Sequence, residues 1–369
     1  MRQDKQTQFG RSNRRTFLQG IGAGAAATAI GGLPLAAFSA DKPLMGFSNK
    51  SLDFYFFRIL QEAAQRAAAK QGWDFQAVNA NFDNTAQIQQ WNALLLKNPI
   101  AMVGDTVDSQ AMVSAVMRAN AAKIPVAMVD SLTVGGNVAC SVAFDNHKGG
   151  VMAAQSVIDL LKKKYNGEAK GTVLNCYGSL KSDAWRARKE GWDETFAKFP
   201  TIKMLNRPTE GLLKNMLSVT VSTLAEYPQL DAIHAPSDTP ARGIVTALKQ
   251  KNMWFKVGDP KHVIFVTIDG EPIGLQWIKE GYQDVDISQD PIAYSEIAVE
   301  MLAQHSVKGE PVPLGEYVNK KYFWEKGEIV KGVSGPRLII PPFVVDPSNA
   351  NDKRHWGNVA TNDWGIAYE

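Results

Sequence analysis

The sequence has few of the residues that form covalent cross-links and metal sites. It contains two cysteines, Cys140 and Cys176, and five histidines that share no metal-ligand spacing. Both cysteines fall in apolar, strand-like stretches, which favours two small buried residues over the alternative of a disulfide. The phosphate-binding glycine loop, the nucleophile elbow and the HExxH motif are all missing. We therefore expect no metal, no cofactor and no enzymatic activity.

An excess of charge of one sign is also missing once the N-terminal segment is set aside. The 369 residues include 40 basic and 37 acidic side chains. Residues 1–40 hold five of the basic side chains and one of the acids, which leaves the remainder near −1. A protein that binds nucleic acid usually carries a basic patch on its folded surface. We therefore expect no nucleic-acid partner.

The basic N-terminal segment is typical of an export signal. The run Asn13-Arg14-Arg15-Thr16-Phe17-Leu18 resembles the twin-arginine pattern, and an uncharged stretch rich in Ala and Gly follows over residues 21–37. This stretch is shorter and less apolar than the roughly 20 residues that span a membrane. We predict a twin-arginine signal over residues 1–40, export by the twin-arginine machinery, and a periplasmic location. The alternative is a tethering helix or an unstructured tail.

From residue 42 onward, short apolar segments alternate with amphipathic ones, which is the pattern of βα units. The alternation restarts at about residue 138 and continues to about residue 305. It predicts two successive α/β domains, each with a doubly wound parallel sheet. The segment 311–331 mixes aromatic and charged residues and is predicted to be irregular or a hairpin. The polar segment 348–369 is predicted to be loosely ordered or to wrap the surface.

A series of short motifs follows one another along these units. The motifs include Met45-Gly46-Phe47-Ser48, Val107-Asp108-Ser109, Phe144-Asp145-Asn146, Arg186-Ala187-Arg188, Ile268-Asp269-Gly270 and Ser288-Gln289-Asp290-Pro291. Their order and spacing over residues 43–345 resemble the periplasmic sugar-binding proteins of ABC importers, of the ribose-binding type.

The resemblance implies the periplasmic-binding-protein type I fold, in which two lobes are joined by a hinge of three chain crossings. The predicted bounds are 41–144 plus 290–338 for the N-terminal lobe. The C-terminal lobe and the tail take 145–289 plus 339–369.

The resemblance also implies a ligand site between the lobes, at the carboxyl ends of the strands. Aromatic planes suit the C–H faces of a sugar, and carboxylate, amide and guanidinium groups suit its hydroxyls. The candidate ligand contacts are Asp53, Phe54, Phe56, Phe57, Asp130, Ser131, Trp185, Arg188, Ser237, Asp269 and Gln289. The alternatives are core positions for Phe56 and Phe57 and a helix N-cap for Asp53.

The chain departs from the ribose-type pattern at three positions of the implied site. Ser131 stands where the resemblance implies Arg, and Phe54 stands where it implies a polar residue. Gly211 falls near the position of an aromatic residue, and Trp185 is predicted to supply the lost plane, with surface packing as the alternative. One arginine fewer and one aromatic residue more indicate a ligand other than ribose.

These expectations describe a monomeric substrate-binding component of an ABC importer. It would capture a neutral sugar or sugar alcohol and deliver it to a permease and ATPase in the inner membrane. The alternative keeps the module but presents a sugar-like or furanosyl signal to a chemoreceptor or histidine kinase. An exported enzyme with carboxylate catalysts is a third reading, disfavoured because carboxylates also bind hydroxyls without reacting.

Overall fold

The computed structural model of the protein describes residues 42–368. The predicted export signal over residues 1–40 lies outside the described residues. Among the described helices, none has both the length and the apolar character that crossing a membrane requires.

Eight strands of the described chain form the first, mostly parallel sheet. They are β1 (Leu44–Asn49), β2 (Asp74–Asn79), β3 (Ala101–Gly104), β4 (Val126–Val129), β5 (Cys140–Phe144), β11 (Gly315–Val318), β12 (Lys326–Lys331) and β13 (Pro336–Ile340). Their order is β11-β12-β13-β5-β4-β3-β1-β2, and β12 is antiparallel to both neighbours. The accompanying helices are α1 (Tyr55–Lys70), α2 (Asn84–Leu95), α3 (Val113–Ala121) and α9 (Pro291–Gln304).

The second sheet, built from six strands of the same described range, is also mostly parallel. Its strands are β6 (Gly171–Tyr177), β7 (Ile202–Pro208), β8 (Ala232–His234), β9 (Ile264–Asp269), β10 (Val285–Ser288) and β14 (Phe343–Val345). The order is β14-β10-β9-β8-β6-β7, with β14 antiparallel to β10. The helices are α4 (Asn146–Lys164), α5 (Asp183–Phe196), α6 (Leu213–Glu226), α7 (Asp238–Gln250) and α8 (Pro272–Lys279).

The two sheets confirm the predicted fold class of two α/β lobes. Strands covered by helices on both faces are apolar throughout, and every residue of β4 is buried. The apolar stripe of α1 from Ile59 to Ala67 is buried, as its helical spacing predicts. Gly72, with a φ of +72°, lies in the turn that follows this helix.

Within the described part of the chain, the backbone passes between the sheets three times. The passages follow β5 at Phe144, β10 at Ser288 and β13 at Ile340. The predicted lobe bounds remain a prediction, and these passages support it. Strand β13 continues in the first sheet to Ile340, two residues beyond the predicted bound at 338.

The C-terminal region has more order than its polar composition indicates. Strands β11 and β12 pair as a hairpin, one of the two forms predicted for residues 311–331. The segment after β14 wraps the surface and buries His355, Trp356 and Ala360. The two cysteines are free and lie buried in different sheets.

Helices α4 and α5 approach each other at glycines. A Cβ atom on Gly150 would lie 2.0 Å from the carbonyl oxygen of Arg188, and one on Gly191 would lie 2.1 Å from that of His147. The two backbones are therefore in direct contact, and this contact fixes the point at which the Arg188 side chain leaves α5.

We expect Gly150→Ala to destabilise the fold, because the added methyl group forces the two helix backbones apart. The expected loss of unfolding free energy is about 1–3 kcal/mol, measured by urea denaturation. The matched control is Gln155→Ala on the exposed face of α4, which should change stability by less than about 0.5 kcal/mol. Equal midpoints for the two variants would contradict this account of the contact.

Candidate ligand-binding site

The predicted site residues converge between the two sheets, where the carboxyl ends of the parallel strands meet. They enclose a small cavity of about 10 Å³, close to the space that one water molecule needs. All predicted residues except Asp53 and Ser131 line it, together with one residue that the sequence analysis missed, Lys50. The lining side chains are Lys50, Phe54, Phe56, Phe57, Asp130, Trp185, Arg188, Ser237, Asp269 and Gln289.

Asp269 is the centre of the polar network on the second lobe. Its carboxylate accepts hydrogen bonds from Ser237 Oγ and Gln289 Nε2, and Arg188 Nη1 lies 3.5 Å away. The residue has a φ of +147° and is followed by Gly270 at +78°. Burial raises the pKa of Asp269 to about 6, while the Arg188 guanidinium opposes the rise.

The tight turn after β9 holds this carboxylate in place. The backbone N–H groups of Asp269 and Gly270 both donate to the buried carboxylate of Asp286, at 3.1 Å for Asp269. A Cβ atom on Gly270 would lie 2.2 Å from Ser288 Oγ, so a side chain has no room there. The turn is therefore fixed by backbone geometry as well as by hydrogen bonds.

Arg188 is buried and held by groups near the hinge. Its Nε donates to Asn146 Oδ1 at 2.8 Å, and Nη1 donates to the carbonyl of Pro236. The guanidinium also lies 5.3 Å from the centre of the Phe144 ring. Asp145 caps helix α4 by accepting from the Lys148 N–H at 3.0 Å. Asn146 thus supports the arginine, and Asp145 ends the first chain crossing.

Gln289 joins the cavity to two of the chain crossings. Its amide nitrogen donates to Asp269, and its Oε1 accepts from the Tyr294 hydroxyl at 2.8 Å. The same hydroxyl accepts from the Phe144 N–H at 3.0 Å. The side chains of the cavity and the backbone of the hinge are consequently parts of one hydrogen-bond network.

Lys50 supplies the positive charge on the first lobe. Its Nζ lies 3.2 Å from Asp105 Oδ1 and 3.4 Å from Asp130 Oδ2, and it donates to Ser131 Oγ. Burial by itself would lower the pKa of Lys50, but the carboxylates of Asp105 and Asp130 raise it above its ordinary value. The ammonium group stands beside Ser131, the position where the resemblance implies an arginine.

One sequence signal could have identified Lys50. It follows β1 directly, at the carboxyl end of a strand that is buried from Met45 to Asn49. A cation at that point falls at the ligand edge of the sheet.

Aromatic side chains from both lobes form the apolar wall. Phe54 and Phe57 stack with ring centres 5.3 Å apart, and Trp185 of the second lobe lies 6.4 Å from Phe54. A Cβ atom on Gly211 would lie 2.2 Å from the Trp185 ring, so Trp185 fills the space that a side chain at position 211 would take. This geometry agrees with the predicted exchange of one aromatic plane for another.

Asp53 and Ser131 differ from the other predicted contacts. Asp53 is exposed and lies outside the cavity, and its backbone N–H donates to Ser51 Oγ at 3.1 Å. Phe54, rather than Asp53, is the N-cap residue of α1. Ser131 does not line the cavity itself, and its hydroxyl lies 2.9 Å from Ser182 Oγ across the cleft.

The rim of the cleft away from the hinge is closed by direct contacts. Asp183 of the second lobe accepts from the Leu132 N–H at 2.8 Å and from Ser109 Oγ at 3.2 Å, and burial raises its pKa. The Ser109 N–H donates to the Lys181 carbonyl at 3.2 Å. The structure is thus a closed conformation of the two lobes.

A cavity that lies between two lobes, with polar groups contributed by both, is the arrangement of a ligand-binding protein. The model of the family described as periplasmic binding protein domain matches residues 45–311, and the chain belongs to this family.

Among curated relatives, a ribose import binding protein of Haemophilus influenzae is 27% identical over 281 residues, which cover 76% of this chain and 91% of the relative. The D-allose-binding periplasmic protein of Escherichia coli is 26% identical over 181 residues, or 49% of this chain and 55% of the relative.

Solved structures show the same fold. An ABC transporter solute-binding protein of Bacillus halodurans with bound myo-inositol has a TM-score of 0.70 at 23% identity, covering 85% of this chain and 98% of that one. One of Mycobacterium smegmatis with bound glycerol has a TM-score of 0.70 at 22% identity, covering 85% and 97%.

We expect Lys50→Met to destabilise the protein strongly, because it leaves the carboxylates of Asp105 and Asp130 buried without their cation. Removing one partner of a buried ion pair costs about 3–5 kcal/mol, measurable by urea denaturation. The double variant Lys50→Met with Asp105→Asn should recover part of this loss. A single variant as stable as wild type would show that Lys50 does not neutralise the pair.

Proposed function

We propose that the protein is the periplasmic substrate-binding component of an ABC importer for a neutral sugar or sugar alcohol. The observation that carries the proposal is the set of polar groups that converge on one aromatic-walled cavity. Asp130 and Lys50 come from the first lobe, Arg188 and Asp269 from the second, and Gln289 from the hinge. Family membership supports a binding role, so we propose no enzymatic activity.

The chemistry of the lining favours a ligand with many hydroxyls and no net charge. Carboxylates accept from hydroxyls, and guanidinium and ammonium groups donate to them. Lys50 is already paired with the carboxylates of Asp105 and Asp130, and Arg188 lies beside that of Asp269. An anionic ligand would therefore find no unpaired cation among these groups, whereas a hydroxyl can donate to one member of a pair and accept from the other.

The relatives and structural neighbours support the same class of ligand. Their names state ribose and D-allose, and the neighbours hold myo-inositol or glycerol. We favour a ligand other than ribose, because Ser131 with Lys50 replaces an arginine and Phe54 replaces a polar residue. The ligand contacts proposed on this chain are Phe54, Phe56, Phe57, Asp130, Trp185, Arg188, Ser237, Asp269, Gln289 and Lys50.

The proposed mechanism is capture by closure. An open form exposes the strand ends of both lobes, and a ligand that contacts both lobes only when they are closed shifts the equilibrium toward the closed form. Hydroxyls shared between Asp130 on one lobe and Arg188 and Asp269 on the other provide this difference in contact. The cavity of this structure has room for about one water molecule, so the complex with a sugar must hold the lining side chains further apart than they are here. The closed, monomeric complex then presents its rim to the permease.

A sensor subunit that presents a sugar-like or furanosyl signal to a chemoreceptor or histidine kinase is the second candidate. The same cavity would serve it, so the identity of the ligand and of the membrane partner separates the two. Copurification with a permease and its ATPase supports the importer, and copurification with a histidine kinase supports the sensor.

The first test is a thermal-shift screen of the purified protein against pentoses, hexoses, polyols, amino acids and a furanosyl signal. A ligand at 100 times its Kd adds about 2.7 kcal/mol to the stability of the folded state and raises the melting temperature by several degrees. A shift confined to one sugar or polyol supports the proposal. A shift with amino acids alone contradicts it.

Asp269→Ala should abolish binding of the sugar or polyol found in this screen, because the cavity loses the acceptor that Ser237, Gln289 and Arg188 surround. Calorimetric titration measures the loss, expected to exceed about 100-fold by analogy with a buried charged hydrogen bond. Circular dichroism should show an unchanged fold. Affinity equal to wild type would remove Asp269 from the site.

Binding should weaken in acid, because the pKa of Asp269 is raised to about 6 and the protonated form has one acceptor fewer. The carboxyl is ionised at pH 7 and mostly protonated at pH 5, which predicts an affinity about tenfold lower at pH 5. Asp286 and Asp290, whose pKa values burial raises to about 7, also titrate nearby. The affinity of Asp269→Asn should therefore fall less between pH 7 and pH 5 than that of wild type, and any fall that remains measures Asp286 and Asp290. A wild-type affinity that does not change would contradict the assignment.

A further inference from the structure

We propose that residues 346–368, here named the C-terminal strap, hold the two lobes closed, and that Trp356 is a positioning residue for the ligand cavity. The role in ligand retention rests on the proposed function, whereas the effect on lobe closure does not. The family model ends its match at residue 311, before the strap begins.

The strap is anchored first on the second lobe. It follows β14, which pairs with β10, and Asn349 Nδ2 donates back to the Val344 carbonyl at 2.9 Å. Lys279 of α8 donates to Asn358 Oδ1 at 3.1 Å. Gly357 comes so close to the turn after β9 that a Cβ atom there would lie 2.7 Å from the Gly270 carbonyl oxygen.

Trp356 is the point at which the strap touches both lobes at once. Its indole N–H donates to the backbone carbonyl of Asp269 at 2.8 Å, on the second lobe. Its ring centre lies 6.1 Å from that of Tyr55 and 5.8 Å from that of Phe56, both at the start of α1 on the first lobe. The side chain is 1% exposed. Opening the lobes must separate this indole from one of its two sets of partners.

The far end of the strap contacts the first lobe. The Tyr55 hydroxyl donates to the Ile366 carbonyl at 2.7 Å, and the Tyr55 ring centre lies 5.0 Å from that of Tyr368. The Arg66 guanidinium lies 4.5 Å from the centre of the Trp364 ring. The strap therefore starts on the second lobe, contacts the first at Trp356 and ends against both, because Arg242 of the second lobe lies 5.9 Å from the centre of the Tyr368 ring.

A second contact between the strap and the first lobe involves the loop between β11 and β12. The His355 ring stacks on that of Phe323 at 4.2 Å, and Arg354 Nη1 lies 2.8 Å from Glu325 Oε1. The ion pair is half-exposed, so its own contribution is small. The buried aromatic contacts are what opening would expose to water.

These contacts place Trp356 directly behind the cavity. Asp269, whose carbonyl it binds, directs its carboxylate into the cavity, and Phe56, against which it packs, lines the same cavity. A strap that is complete only in the closed form shifts the equilibrium toward closure. It should slow the release of a captured ligand, and it should hold the Asp269 turn and the Phe56 ring in position at the cavity.

The test uses three variants of the full chain and one control. Trp356→Phe keeps an aromatic ring but removes the hydrogen bond to Asp269, and Trp356→Ala removes both. Tyr55→Phe removes the hydroxyl that binds the end of the strap. The control is Thr361→Ala, which removes a hydrogen bond to the Gly357 carbonyl that lies within the strap itself.

The distance between the lobes is measured without ligand by pulsed electron paramagnetic resonance. Spin labels on Met117→Cys and Leu213→Cys report it, because these side chains are 59% and 40% exposed, on different lobes. The native cysteines are buried and should not be labelled. We expect the open distance to gain population in Trp356→Ala and Tyr55→Phe, less so in Trp356→Phe, and to stay at the wild-type level in Thr361→Ala.

Identical distance distributions in wild type and all variants would overturn the proposal. If Trp356→Ala does not fold, Tyr55→Phe and Trp356→Phe test the proposal, since each keeps an aromatic ring at the substituted position. With D-allose or myo-inositol as the probe, release should be about tenfold faster in Trp356→Ala, the effect of losing buried aromatic packing and one hydrogen bond. Where neither probe binds, the distance measurement alone decides the role of the strap, whatever the fate of the proposed function.

Discussion

The arrangement of the cleft depends on the burial of charge between the two lobes. A charged group taken out of water costs several kcal/mol unless a partner and hydrogen bonds replace its hydration. Arg188 and Asp269 meet this requirement through groups near the hinge, namely Asn146 and Gln289. Because one partner of each of these two charges lies at a chain crossing, the second-lobe part of the ligand site and the hinge form one network. A change in the ligand contacts of Asp269 therefore also affects its hydrogen bond with Gln289 at the second crossing.

The sequence predicts those site residues whose position follows from the fold alone. Asp130 and Asp269 each stand at the end of an apolar strand, and such ends meet at the ligand edge of a parallel sheet. Lys50 occupies an equivalent position but was missed, because a lysine is normally a surface residue. What buries it is a pair of carboxylates, Asp105 and Asp130, that lie 55 and 80 residues away along the chain. Such long-range neutralisation leaves no local pattern.

The same contrast separates Trp185 from the C-terminal strap. A role for Trp185 was predicted from the sequence, whereas the order of the strap was not. Trp185 could be predicted because Gly211 leaves an aromatic position empty, and the two are complementary in shape. The strap was predicted only as loosely ordered or wrapping, since its composition is polar. Its buried centre, Trp356, has mostly polar neighbours in the sequence, and its partners Tyr55 and Phe56 lie about 300 residues earlier.

The start of α1 shows how one short sequence serves both features. Four consecutive aromatic residues stand here: Phe54 is the extended N-cap residue, and Tyr55 to Phe57 are the first residues of α1, whose successive side chains are about 100° apart. They therefore point in different directions: Phe54 and Phe57 toward Trp185 and Lys50, and Tyr55 toward the strap, with Phe56 in contact with both the cavity and Trp356. A movement of this helix end changes the cavity wall and the strap together. Closure over a ligand and attachment of the strap are, on this geometry, coupled through the same turn of helix.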